Sequence, residues 1–400
     1  MQPAKPVNDK LSAKLDRMRK VILGGGLPDR VPVSDFFWTG YLQREKALHG
    51  SGFDPYRHYD LDYIVINPNM DPRIQPFEIL HDDGTVVELK TGFGATIKRT
   101  ASAPMPYFEK FQVEKPEDMS AFVFDDPLDP RRYTSGGDDQ INGVGDAINR
   151  NTPAWTDRLS SYEDDFVLFG SVCEGYEYIW RCVGTENALI FPYDEPEMFE
   201  NFLHRIAEFL YGIIRGQIKH AKGRLHGMYI WGDVAYRNGM MFDPVFWRKH
   251  YKPIVENMIR ICHDAGLMVI YHGCGNASSL YEDFIQMGLD GYNPLECKAG
   301  LKVPELRKQY GDRIAFVGNI DVRELESGEQ DKIKRELLYK LTGAVNGRYI
   351  PQSDHSVSLD VSPQSYAYLV KIAREYGVYP LDMDRIHREL AQLDSKLSGG

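Results

Sequence analysis

The chain alternates between two hydrophobic rhythms. Short apolar runs recur from residue 165 onward: FVLFGSV, LHGMYIW, LMVIYH, RIAFVGNID and GRYIPQS. Between them lie longer stretches with apolar residues every three or four positions. EPEMFENFLHRIAEFLYGIIRGQI places Phe199, Phe202, Leu203, Ile206, Leu210 and Ile213 on one side. Runs of four to eight apolar residues fit strands buried on both faces, and the longer period fits helices packed over them. Asp243 and Pro244 start the helix at DPVFW, Pro253 should split it, and Gly266 ends it. Strands alternating with helices predict βαβ units and a parallel sheet. VPVSDFFW (31–38) and LDYIVINPN (61–69) read as two earlier strands. The count favours an α/β fold of the (β/α)8 barrel type over an open doubly wound sheet, for which no G-x-G-x-x-G follows a first strand.

Three segments stand apart from this rhythm. Leu11, Leu15, Met18 and Ile22 share one face of an N-terminal helix that ends in the glycines at 24–26. Residues 77–100 alternate around Asp83-Gly84, a hairpin signal, and predict an inserted β-hairpin. Residues 126–160 are rich in Gly, Pro, Asp and Asn, the composition of an irregular excursion or lid. The organisation expected is an N-terminal helical extension (1–26), a barrel (27–380) and a C-terminal helix (381–400). The stripe Ile386, Leu390, Leu393 and Leu397 in that last helix packs on the body or forms a homodimer contact.

Charge and cysteine content narrow the function. With 58 acidic against 47 basic residues, the net charge of −11 disfavours nucleic acid as a partner. No run approaches a membrane span, and the N-terminus lacks the apolar core of a signal peptide. Five cysteines (173, 182, 262, 274 and 297) are too few and odd in number for a disulfide framework. A cytoplasmic protein is the expectation.

A barrel carries its chemistry at the C-terminal ends of its strands. The side chains collected there are Glu174, Asp233, His272 and Cys274, Glu296 and Cys297, Asn319 and Asp321, and Asp354 and His355. Residues i and i+2 of a strand face the same way, so His272 and Cys274 can share one cation, and nitrogen with sulfur is a zinc ligand pair. Cys297, one strand later, is the first choice for a third ligand, with Glu296 and His355 as competitors. Asp233 caps a turn or serves as an acid, base or substrate anchor. Cys173, Cys182 and Cys262 read as core.

In order and spacing, GDVAYRNG, YHGCGN, GYNPLECKAG, VGNID and YIPQSDHSV resemble the uroporphyrinogen decarboxylase superfamily. The resemblance is strong over about residues 165–375 and implies a (β/α)8 barrel. It also implies one of two chemistries: the decarboxylase itself, or zinc-dependent methyl transfer with corrinoid proteins. The decarboxylase is similar in fold but carries an arginine-rich segment after its first strand, where this chain reads VSDFFWTGYLQREK. The methyltransferase branch carries a His-x-Cys pair, matched by His272 and Cys274. Its thiol-activating members have another cysteine near the last strand, where this chain has Ser353-Asp354-His355. The implied reading is a methyltransferase with zinc on His272, Cys274 and Cys297. Asp233, Asp321 and His355 then serve catalysis, while Phe37, Trp38, Glu174 and Asn319 contact a small methyl donor or acceptor. The corrinoid would come on a partner protein. The alternatives are a metal-free decarboxylase and a non-catalytic binding module.

Overall fold

A computed structural model describes residues 8–100, 106–141 and 149–399. Seven parallel strands form its centre: β1 (Tyr63–Val65), β2 (Val167–Cys173), β3 (Gly227–Trp231), β4 (Met268–His272), β5 (Gly291–Asn293), β6 (Ala315–Ile320) and β7 (Tyr349–Ser353). They pair in chain order, β1 beside β2 through to β6 beside β7. Parallel neighbours need a crossover, and helices supply it after each of β2 to β6. The longest, Pro196–Ala221, buries Phe199, Phe202, Leu203, Ile206, Leu210 and Ile213, the stripe its sequence predicts. Pro253 divides the next helical stretch into Pro244–His250 and Lys252–Asp264.

The sheet curls into a half-barrel. A closed eight-stranded barrel is not what the ladders form, because the sheet stays open between β1 and β7. The segment 31–38 makes only isolated bonds to either side. The Val33 carbonyl accepts from the Asp62 N–H, while the Phe36 carbonyl accepts from the Val357 N–H and Trp38 N–H donates to the Val357 carbonyl. Pro32 has no N–H to give, and Ser34 spends its hydroxyl on the Tyr63 carbonyl. An apolar run therefore bridges the opening without becoming a strand.

The concave face is filled by side chains. Tyr63, Val167, Phe169, Tyr229, Met268, Ile270, Ala315, Val317 and Ile350 form one buried cluster. The N-terminal helix Asp9–Ile22 adds Leu11, Met18, Val21 and Ile22 to it, with Asn8 as its cap. The expected hairpin is present as Glu78–Asp82 and Val86–Lys90, and it extends to a four-stranded antiparallel sheet with Thr96–Thr100 and Tyr107–Lys110. The 126–160 stretch holds the short helix Arg131–Thr134, a strand pair (Gly137–Asp139, Asn149–Thr152) and most of the helix Trp155–Tyr162. Residues 142–148 of that excursion, like residues 1–7 of the N-terminal extension, lie outside the described residues.

One buried carboxylate joins three of these parts. Asp62, at the start of β1, accepts from Arg17 at 2.5 Å, from Arg30 at 2.9 Å and from the Val33 N–H at 2.7 Å. It ties the N-terminal helix and the bridging segment to the sheet. Removing one member of a buried ion cluster strands the others in a poor solvent. Asp62→Ala should lower the unfolding free energy by about 3–5 kcal/mol, measured by urea denaturation. A loss of a few tenths of a kcal/mol would show that the two arginines are satisfied elsewhere.

Candidate functional site

Strand alternation delivers His272 to the rim. Met268 and Ile270 face the interior cluster, and His272 continues the series at the C-terminal end of β4. The register sets Trp231 of β3 and Asn293 of β5 on either side of it. The Trp231 ring meets the imidazole edge-on at 4.9 Å between centroids, and Phe36 approaches at 6.4 Å. His272 Nδ1 lies 2.5 Å from Asn293 Oδ1. The Asn293 amide nitrogen already donates to the Val317 carbonyl, so its oxygen is the atom facing the ring. Nδ1 therefore carries a proton, and in the neutral ring Nε2 presents a lone pair to the rim.

The chain then turns at Gly273-Cys274-Gly275. Gly275 has φ +76°, and a Cβ there would lie 2.6 Å from the carbonyl oxygens of Ala235 and Tyr236. This close approach locks the turn against the loop that begins at Asp233. The Cys274 N–H donates to Asp233 Oδ1 at 2.8 Å. Cys274 Sγ lies 3.6 Å from His272 Nε2, and Nε2 lies 3.8 Å from Asp233 Oδ1. Among the described residues, one ligand atom from each of these three side chains falls within 4.8 Å of the others. Burial, then the charges of Asp233 and Glu296, push the Cys274 thiol well above its ordinary range, and Glu296 also hydrogen-bonds it. Sulfur, imidazole and carboxylate gathered in this way offer a donor set that could hold a cation.

The structure places Cys297 elsewhere. Its Sγ faces the Asn319 carbonyl at 3.4 Å and the Lys340 ammonium at 3.5 Å, and the carboxylate that lies beside His272 and Cys274 is that of Asp233. The physical reason is local: Leu295 adopts φ +63°, which breaks strand alternation after β5 and sends Glu296 toward Cys274. Asp321 caps the helix Val322–Glu326 and pairs with Arg323 at 2.6 Å, facing the same cavity as Cys297. Asn319 is fully buried and holds the 295–303 turn through the Leu295 and Leu301 carbonyls and the Val303 N–H. Its side chain is committed to that turn and to the Cys297 sulfur beside it. Phe37 packs into the helix layer against Tyr41, Tyr56 and Tyr366, whereas its neighbour Phe36 lines the site. Trp38 stacks edge-on with His355 at 5.2 Å.

Glu174 is buried at the start of the helix Gly175–Val183, where one carboxylate oxygen accepts from the Glu177 N–H. Among the described residues its other oxygen has no partner. Burial pushes its carboxyl up to about 8, so it is largely neutral at pH 7. Asp35, whose carboxylate accepts from Ser353 and the Phe36 N–H, is pushed up to about 7 by the same cause. The sequence does not single out Trp231 or Asn293 as site residues. They sit opposite His272 in adjacent strands, so only the register could have found them. Cys173, Cys182 and Cys262 are buried, as core residues should be.

Comparison with known proteins gives the chain a family. Residues 90–376 match the uroporphyrinogen decarboxylase (URO-D) family. The chain belongs to that family. A uroporphyrinogen decarboxylase from Magnetococcus marinus is 25% identical over 208 residues, 50% of this chain and 52% of that protein. The chain thus spans about half the length of the curated relative it matches. A methyltransferase from Methanosarcina mazei superposes with a TM-score of 0.63 at 15% identity, covering 90% of this chain and 98% of that one. At that identity the likeness is one of fold. Decarboxylases and methyltransferases thus both stand among the similar proteins of this URO-D chain. No helix among its described residues is long and apolar enough to cross a membrane.

The Gly275 turn holds Cys274 beside His272 in this URO-D chain. Gly275→Ala should cost about 1–3 kcal/mol through positive φ and the carbonyl clash. Chemical denaturation measures this, and an unchanged midpoint would show that the turn is not under that constraint.

Proposed function

We propose that this chain is a zinc-dependent methyltransferase, moving a methyl group between a small substrate and a corrinoid carried on a separate protein. The observation that supports it is the convergence of His272 Nε2, Cys274 Sγ and Asp233 Oδ1 within 4.8 Å at the open rim of the sheet. The donor set fits zinc, which takes nitrogen, sulfur and carboxylate oxygen and keeps a fourth position for substrate in catalytic sites. When bound, zinc supplies Lewis acidity, holding an acceptor thiol as thiolate or polarising an ether or amine donor.

The chain's own residues do the rest. Asn293 fixes the His272 tautomer and ring plane, so Nε2 is offered without a competing proton. Glu296, on the Cys274 thiol, is placed to take the thiol proton when the sulfur becomes a ligand. Phe36 and Trp231 wall the imidazole and keep water from one side of it. Trp38 and His355 form a second aromatic edge suited to orienting a substrate. Asp321 is committed to Arg323 and Asn319 to the backbone, so this mechanism assigns neither a part in the chemistry.

A metal-free decarboxylase is the second reading, favoured by the name of the curated relative. A substrate rich in carboxylates needs free cations near the aromatic segment. Arg44, which follows it, is spent on the Leu359 and Val361 carbonyls and on Glu45. Turnover of uroporphyrinogen insensitive to chelator would favour this reading over methyl transfer.

Zinc analysis of the full chain purified without added metal should give about one equivalent, and His272→Ala less than about a tenth of that. Asn293→Ala should weaken zinc roughly 10–100-fold while leaving the fold intact. Cys297→Ser should retain the metal. Substoichiometric zinc in the unmodified protein, below about a tenth of an equivalent, would overturn the metal-dependent mechanism.

A further inference from the structure

Outside this site, the clearest unassigned chemistry surrounds Cys297. A cavity of about 410 Å³ opens beside it, lined by Asp321, Arg335, Glu336, Tyr339 and Lys340 among others. The Lys340 ammonium is almost wholly buried and lies 3.5 Å from Cys297 Sγ. Glu336 Oε1 is 3.1 Å from that ammonium and 3.9 Å from the sulfur. Asn319 holds the sulfur from the other side, with its amide nitrogen at 3.4 Å. A thiol and an amine are thus held in direct contact, with a carboxylate beside both and a cavity leading to them. Simple packing does not need a lysine there, and its burial is costly.

We infer that Cys297 and Lys340 form an oxidative cross-link, an oxygen-bridged S–O–N bond made by a peroxide. Two peroxide molecules balance the reaction. In the first step the sulfur attacks hydrogen peroxide: the S–O bond forms, the O–O bond breaks, the thiol becomes a sulfenic acid and one water leaves. Glu336 takes the thiol proton and passes it to the departing hydroxide, which completes that water and leaves the carboxylate free again. In the second, the Lys340 amine, having given its extra proton to Glu336, is oxidised by another peroxide at the nitrogen. The sulfenic oxygen then stays between sulfur and nitrogen as two waters leave. Each peroxide is reduced by two electrons, one pair drawn from sulfur and one from nitrogen. An inserted oxygen spans the gap with less movement than a direct S–N bond would need.

The consequence reaches the rim. The bridge would staple the turn after β5 to the helix Gln330–Leu341. Glu296, the residue before Cys297, hydrogen-bonds Cys274, so stapling this turn restrains a group that touches the His272 cluster. Oxidation beside Cys297 would be felt at the His272 cluster.

The test uses the full chain, titrated with hydrogen peroxide, digested and read by tandem mass spectrometry, which requires no assumption about the reaction catalysed. The expected product joins the peptides containing residues 297 and 340, with one oxygen more and two hydrogens fewer than their sum, and a thiol reductant reverses it. Lys340→Arg, which keeps the charge beside Glu336, should abolish the joined species and let Cys297 run on to sulfinic acid. Cys297→Ser should abolish it too. Sulfinic acid at Cys297 of the unmodified chain with no joined peptides, an unreacted Cys297, or a joined species persisting in Lys340→Arg would each overturn the inference.

Discussion

The site depends on the register of three strands. Parallel pairing puts His272 level with Trp231 on one side and Asn293 on the other. The asparagine holds the ring nitrogen that carries a proton, and the indole packs edge-on against the ring. A slip of one residue would turn the imidazole toward the helix layer and replace it with Tyr271. Tyr271 is instead buried on that outer side, its hydroxyl on the Gly232 carbonyl. That bond helps hold the backbone from which Asp233 projects. The same register therefore sets both the nitrogen and the oxygen of the proposed metal group.

Electrostatics complete the arrangement. Cys274 meets the charges of Asp233, Glu296 and Glu177, which work against its ionisation. Glu177 in turn is held by Arg181. A divalent cation bound there would reverse the sign of these interactions on the thiol, which is why the arrangement suits the metal proposed above.

The alternation of buried runs and amphipathic helices made the parallel α/β architecture legible, and the i, i+2 spacing brought out His272 and Cys274. What failed were judgements of parity where the backbone leaves regular structure. After β5, Leu295 takes a left-handed conformation, and the choice between residues 296 and 297 inverts. In the 31–38 segment no ladder fixes the faces, and Phe36 points to the rim where Phe37 was expected. The closed barrel failed for a related reason: an apolar run carries hydrophobicity but does not show whether its N–H groups will find a strand or a side chain. Asp233 carried only an ambiguous signal, because a carboxylate beginning a loop can cap a turn or bind a cation. Here it accepts the Cys274 N–H while lying within reach of His272 Nε2, a pairing set by long-range contact.

The central claim is that one imidazole, one thiolate and one carboxylate hold a single zinc ion. X-ray absorption at the zinc edge of the zinc-loaded chain tests it directly. The account predicts one sulfur at about 2.3 Å, with the remaining nitrogen and oxygen neighbours at about 2.0–2.2 Å. A shell with two sulfurs, which would bring Cys297 to the metal, or one with none, would contradict it.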